Sequence, residues 1–113
     1  KALRSDEKNF GADHPTTAVD YSNLALVLQA LGDYQGAKTL LEKALRSAEK
    51  NLGADHPTTA IRYSNLAVVL QDLGEYQSAL KLFKRALDVF KANLPEGHPY
   101  IVIVSDRLNS LSE

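Results

Sequence analysis

The sequence predicts an all-α protein, a solenoid of antiparallel helix pairs, and three observations carry that prediction. The chain repeats itself every 42 residues: Asp13-His14-Pro15-Thr16-Thr17-Ala18 returns as Asp55-His56-Pro57-Thr58-Thr59-Ala60, and 30 of the 42 positions in residues 1–42 recur in residues 43–84. Within each unit the apolar residues follow a helical beat rather than an alternating one. Isolated glycines, Gly32, Gly53 and Gly74, fall where one beat stops and the next begins. Units of this kind bury their apolar faces only against their neighbours, so residues 1–113 read as a single array without one central core.

Residues 1–12 repeat the pattern of the later second helix, Lys1-Ala2-Leu3-Arg4 matching Lys43-Ala44-Leu45-Arg46, and are read as part of a second helix and its turn. An array that opens inside a unit is expected to belong to a longer protein. The first full unit spans residues 13–54. Pro15 suits the first turn of a helix, where its missing N–H and fixed φ do no harm, with Asp13 or His14 as the cap. Tyr21, Leu24, Ala25, Leu28 and Leu31 then share one face, which is expected to pack inward. Gly32 stops this helix and Asp33 caps the next. Ala37, Leu40, Leu41, Ala44, Leu45 and Ala48 carry the second helix to Leu52-Gly53, a length of roughly 28 Å. A turn this short makes the two helices antiparallel.

The second full unit spans residues 55–96 and reads the same way: Pro57 to Leu73, Gly74, then Glu75 to about Leu94. Residues 97–113 form a terminal capping helix. Here Tyr100-Ile101-Val102-Ile103-Val104 favours a strand by propensity. It follows His98-Pro99 in the register where both earlier copies begin a helix, and that context overrides a weak preference. Asn109 and Ser110 replace Ala67 and Val68, the polar finish expected of an end unit. Lys38, Leu41, Ser47 and Ala48 of the first full unit become Leu80, Phe83, Val89 and Phe90 in the second, and this bulk is expected to pack against residues 100–104.

Composition narrows the function. Lys plus Arg number 13 against 14 Asp plus Glu, a formal charge of −1 with no basic run, so neither nucleic acid nor an anionic membrane is an expected partner. Absence of cysteine excludes disulfides and thiolate metal sites and suits a reducing, cytoplasmic setting. No apolar stretch approaches the ~18–20 residues that span a bilayer, and no signal-peptide core follows Lys1 to Arg4. The histidines come one per unit on helices packed ~8–10 Å apart, too far to converge on an ion, and are read as helix caps. Nothing matches a nucleophile elbow, a phosphate loop or a paired acid and base, so no enzyme activity, metal or cofactor is expected. Glu42, Lys43, Arg46, Glu49 and Lys50 read as a solvated stripe on the second helix.

Asn23-Leu24-Ala25, Leu28, Gly32-Asp33-Tyr34, Ala37 and Ala44-Leu45, recurring from Asn65 through Leu87, closely resemble the tetratricopeptide repeat. The 42-residue form, with Gly-x-x-His-Pro, Asn-Leu-Ala and Gly-x-Tyr, is similar to the repeats of kinesin light chains, and its extra residues lengthen both helices. The resemblance implies a right-handed superhelix whose first helices line a concave face that binds a peptide or partner helix, without catalysis. Mapped by helical angle, that face offers Val19, Ser22, Asn23, Leu26 and Gln29, then Ile61, Ser64, Asn65, Val68, Gln71 and Asp72, and finally Arg107.

Asn23 and Asn65 form a ladder of amides able to pair with a peptide backbone, the use that the resemblance to kinesin light chains implies. The same amides suit a structural role between neighbouring helices, and both readings stand. Arg107 replaces the third asparagine and suits an acidic ligand group. Val19, Leu26, Ile61 and Val68 fit helix packing better than a groove. Ser22, Leu26, Ser64 and Val68 occupy the positions where chaperone-binding relatives place a carboxylate clamp, so that ligand is not expected. The alternative to a peptide-binding scaffold is a self-assembling spacer that stacks head to tail, since the inner face changes little between copies and each end lacks a partner helix.

Overall fold

The fold is that of a computed structural model, which describes residues 15–112 and, for side chains, residues 21–112. The partial helix expected at residues 1–12 and the cap at Asp13 or His14 lie outside the described residues. Among those described there are five helices and no strand: α1 Pro15–Ala30, α2 Tyr34–Leu52, α3 Pro57–Asp72, α4 Tyr76–Asn93 and α5 Pro99–Ser112. The pairs α1/α2 and α3/α4 are the two units, and α5 begins a third. The array measures 43 × 30 × 20 Å. Its thinnest dimension equals two helix diameters of ~10 Å, as expected for one layer of first helices on one layer of second helices.

Local chemistry fixes each start and stop. The Asp33 carboxylate accepts the Gly36 N–H at 3.0 Å and caps α2. His56 caps α3 by accepting the Thr58 N–H on Nδ1 at 3.0 Å, and His98 accepts the Tyr100 N–H at 3.1 Å. Gly32 and Gly74 take φ of 83° and 81° at the two intra-unit turns, a conformation any side chain would strain. The β-prone run at residues 100–104 is helical as the repeat register requires. Its Val104 is buried and Ile101 packs against the same core, so burial outweighs propensity.

Alanines hold each pair together. Ala25, Ala37 and Ala44 in the first unit, and Ala60, Ala67, Ala79 and Ala86 in the second, are fully buried. Larger side chains fill the space between units: Leu41, Tyr63, Leu66, Val69 and Leu70, then Phe83, Val89, Phe90 and Val104. The ring of Phe90 lies 5.3 Å from that of Tyr100, so the bulk added to α4 packs on α5 as the sequence suggested.

Three polar latches hold the turns and joints of the array. Thr59, fully buried, donates to the Gly53 carbonyl at 2.7 Å and ties the start of α3 to the end of α2. Asn93 donates to Val89 and to the Asp55 carbonyl at 2.8 and 3.2 Å, tying the end of α4 to the preceding turn. The Tyr63 hydroxyl donates to Glu49 of α2 at 2.9 Å, while the Arg85 guanidinium of α4 lies 4.9 Å over its ring. Lys43 stands over Tyr21 in the same way at 5.5 Å. Lys43 and Glu49 are therefore not merely a solvated stripe; they grip the tyrosines of the first helices.

The two copies differ at one cap. Glu75 replaces Asp33, makes no capping bond, and instead pairs with Lys38 of the preceding unit at 3.3 Å. Leu24 and Leu31, placed on the inward face by periodicity, are exposed by 38% and 76%, whereas Leu66, the counterpart of Leu24, is 5% exposed. In the second unit α2 covers this face, and among the described residues no helix covers the corresponding face of α1.

Three outcomes follow for stability. Thr59→Val leaves the Gly53 carbonyl without its buried donor and is expected to cost ~1–2 kcal/mol, read as a lower denaturation midpoint. His56→Ala is expected to cost about 1 kcal/mol and His56→Ser to restore most of it, because serine supplies the same acceptor to the first turn. Burial, reinforced by the hydrogen bond to Glu49 and its charge, pushes the Tyr63 hydroxyl up to about 12, against a smaller opposing effect of Arg85. A raised acid favours its neutral form in the fold. This contribution is fully present below the ordinary value near 10 and is lost as pH rises toward 12. Denaturant midpoints measured between those limits should fall more steeply for the native protein than for Tyr63→Phe.

Candidate functional site

Between α3 and α5 a cleft of about 180 Å³ opens, lined by Ile61, Ser64, Asn65 and Val68 of α3, by Phe83 and Phe90 of α4, and by Tyr100, Ile103, Val104 and Arg107 of α5. The two phenylalanines are buried and form its floor, while Tyr100, Ile103 and Arg107 are exposed and form its rim. Tyr100 is held in place from two sides, by Phe90 and by the His98 ring at 4.9 Å. The wall is therefore built from a cap residue, an aromatic stack and one half-buried amide, Asn65.

Five of the residues singled out from sequence, Ile61, Ser64, Asn65, Val68 and Arg107, come together here. The others do not. Asn23 and Leu26 are exposed on α1 away from the cleft, Gln29 is half-buried there, and Asp72 is exposed at the end of α3. Ser22 is only 7% exposed. It lies one position after the fully buried Tyr21, on the packed side of α1. The side chain of Val19 lies outside the described residues. Gln71 is half-buried, with its Oε1 out of solvent and without a hydrogen-bond partner. Ser64 donates to the Ala60 carbonyl of its own helix at 3.2 Å, which satisfies its hydroxyl without a ligand.

Sequence reasoning treated Phe83, Phe90 and the α5 segment as end packing and missed their second role. The signal was present in the copy differences. Phe83, Phe90, Tyr100 and Val104 stand 42 residues after Leu41, Ala48, Thr58 and Arg62. Aromatic rings at the first three positions create an apolar floor and wall. At the fourth, the equivalent position between α1 and α3 carries Arg62. Its Nε is out of solvent and without a hydrogen-bond partner, and burial lowers its guanidinium below the ordinary value. At this position the two junctions thus differ in chemistry: one carries a partly buried guanidinium and the other a buried valine.

The described residues include no group of three His, Asp or Glu side chains placed to hold a metal ion, and no helix long and apolar enough to cross a membrane. His56 and His98 use Nδ1 for their caps, the role inferred for them from the sequence.

Comparison with known proteins agrees with this architecture. The family model described as tetratricopeptide repeat matches residues 1–50 and 21–92. Two crystal structures of a Podosopora anserina protein provisionally assigned as a kinesin light chain, with nearly identical TPR-like repeats, superpose with TM-scores of 0.90; one of the two is a single-residue variant. They share 26% identity with this chain, and 24% for the variant. Each alignment covers 96% of this chain and 52% or 51% of the other. The crystal structure of BtubC (BKLC) from P. vanneervenii superposes with a TM-score of 0.87 at 23% identity, over 97% of this chain and 44% of that one. This chain therefore spans about half the length of the solved structures it matches. No curated protein sequence matches it. With helix pairs, alanine contacts and 42-residue period all in place, the chain belongs to the tetratricopeptide repeat family.

Proposed function

We propose that this protein is a non-catalytic scaffold that holds an extended peptide or a partner helix against its first helices, with the α3/α5 cleft as the anchoring point. Membership of a family of protein-interaction repeats supports the general role. The single observation that carries the finer reading is the cleft itself. At about 180 Å³ it is smaller than the ~300–1,000 Å³ of a small-molecule site, yet it has room for one bulky apolar side chain. Asn65 on its wall offers both a donor and an acceptor to a peptide backbone. Arg107 on its rim supplies a fixed positive charge for a carboxylate of the ligand. The expected ligand is thus a segment with an apolar anchor and a nearby acidic group.

Asn23 and Asn65 are not equivalent in this reading, although the repeat relates them. Asn65 borders the recess, whereas Asn23 stands exposed beside a junction that holds Arg62 instead. End-to-end self-association is the alternative, and the two ends support it unequally. Exposed Leu24 and Leu31 favour an apolar partner at α1. On α5, however, Ser105, Asn109 and Ser112 replace the buried Tyr63, Ala67 and Leu70, which leaves a polar face there. Light scattering that reports a monomer at all concentrations to the millimolar range removes this alternative.

The scaffold reading is tested with a displayed peptide library. Selected ligands are expected to share a bulky apolar residue, and Asn65→Ala and Arg107→Ala are each expected to weaken them about tenfold, equivalent to ~1.4 kcal/mol. Asn23→Ala should have a smaller effect. Equal affinities for native protein and Asn65→Ala across all selected ligands would show that the cleft is not the anchor.

A further inference from the structure

We propose that Arg62 sets the register of the ligand: it bars an apolar side chain from the α1/α3 joint, so that the anchor enters only the α3/α5 cleft. The inference rests on the reading of that cleft as the anchoring point. Two joints related by a 42-residue repeat otherwise offer an extended segment two registers, one unit apart. The floor alone does not separate them. Leu41 and Ala48, the counterparts of Phe83 and Phe90, are apolar too and are 2% and 5% exposed. Half-buried Ile61 and exposed Leu26 are likewise apolar, in the places that Ile103 and Val68 hold at the cleft.

Arg62 is what differs in kind. Val104, its counterpart at the cleft, is 3% exposed and brings no polar side-chain atom. Arg62 is half-buried, its Nε is out of solvent without a hydrogen-bond partner, and among the described residues no carboxylate pairs with it. Burial lowers its guanidinium below the ordinary value, as expected of a cation that has lost water and gained no counter-charge. An apolar side chain laid against this group would strip its remaining water and supply no acceptor, and an unpaired charge is the costliest group to desolvate. The joint therefore rejects what the cleft accepts. Specificity comes here from a repulsive element at the wrong register rather than from an added contact at the right one. Arg85, by contrast, is spent on structure, since it stands over the ring of Tyr63.

The probe is N-acetylphenylalaninamide, one apolar side chain between two peptide groups, titrated into the full 113-residue protein with backbone amide shifts as the readout. In the native protein, shifts are expected at Ile103 and Val104 and not at Asn23 or Leu26. Arg62→Val copies the cleft residue into the first joint and is expected to raise affinity there at least ~tenfold, so that Asn23 and Leu26 shift as well. Arg62→Leu, which keeps the helix propensity of arginine, should do the same. Arg62→Lys keeps the charge and should leave the first joint silent. Because neither an ion pair nor a hydrogen bond of Nε is lost, the denaturation midpoint of Arg62→Leu is expected to stay at or above that of the native protein.

Shifts at Asn23 and Leu26 in the native protein overturn the inference, as does their absence in both apolar variants. Equal gains in Arg62→Lys and Arg62→Val remove the role of charge and overturn it as well. A midpoint markedly lowered in Arg62→Leu reveals a structural partner of the guanidinium and has the same consequence. The reading of the cleft fails by a different result, unshifted Ile103 and Val104 in the native protein, which is observed independently of the first joint.

Discussion

Two helices can lie close along their whole length only if the side chains between them are small, and the fully buried alanines of this chain meet that constraint in both units. Ala25, Ala37 and Ala44 in one unit, and Ala67, Ala79 and Ala86 in the next, are all fully out of solvent. Because the pair is held by small residues, the large ones are displaced to the joints between pairs, where Leu41, Tyr63, Phe83 and Phe90 do the packing. Stability in such an array is a sum of neighbour contacts rather than the property of one core. The polar latches sit at the joints for the same reason. Thr59 and Tyr63 each reach across a boundary between units, while Asn93 ties the end of α4 to the turn that opens its own unit.

A backbone repeated this closely acquires function only where its copies diverge, and the divergences fall on the joints as well. Replacing Asp33 by Glu75 exchanges a local cap for a bond between units. Replacing Leu41, Ala48 and Thr58 by Phe83, Phe90 and Tyr100 opens an apolar recess, because flat rings define a floor and a wall without filling the space above them. Replacing Arg62 by Val104 removes a cation from that same space. None of these changes falls on the alanines, which stay fully buried in both units.

The fold was legible in the sequence because period, proline, glycine and alanine each pointed to the same helix pairs. Even the β-prone residues 100–104 were readable as helix from register alone. The histidine caps at His56 and His98 were legible too, since metal ligation was impossible at one residue per unit. The site was only partly legible. Helical angle selected Ile61, Asn65, Val68 and Arg107, which border the α3/α5 cleft, but the same rule selected Ser22, which is buried, and Leu26 and Asp72, which stand apart from that cleft. Angle tells which way a side chain points and not what stands opposite it. The floor residues Phe83 and Phe90 come from a different helix and escaped because the reading was confined to first helices. Leu24 and Leu31 failed for a related reason: periodicity marks a face as apolar, while burial requires a second helix to be there.

That last distinction governs how an array of this kind meets other molecules. Every first helix in the repeat has two apolar demands, one satisfied by its own second helix and one by the second helix of the preceding unit. For α3 both are met, by α4 and α2, and the remaining surface is free to differentiate into the cleft. For α1 only the first is met among the described residues, and its open face keeps the chemistry of an internal joint, leucines and a valine beside an exposed carboxylate. The cleft surface is where the two copies part: Tyr100 and Val104 border it at the positions that Thr58 and Arg62 hold one unit earlier.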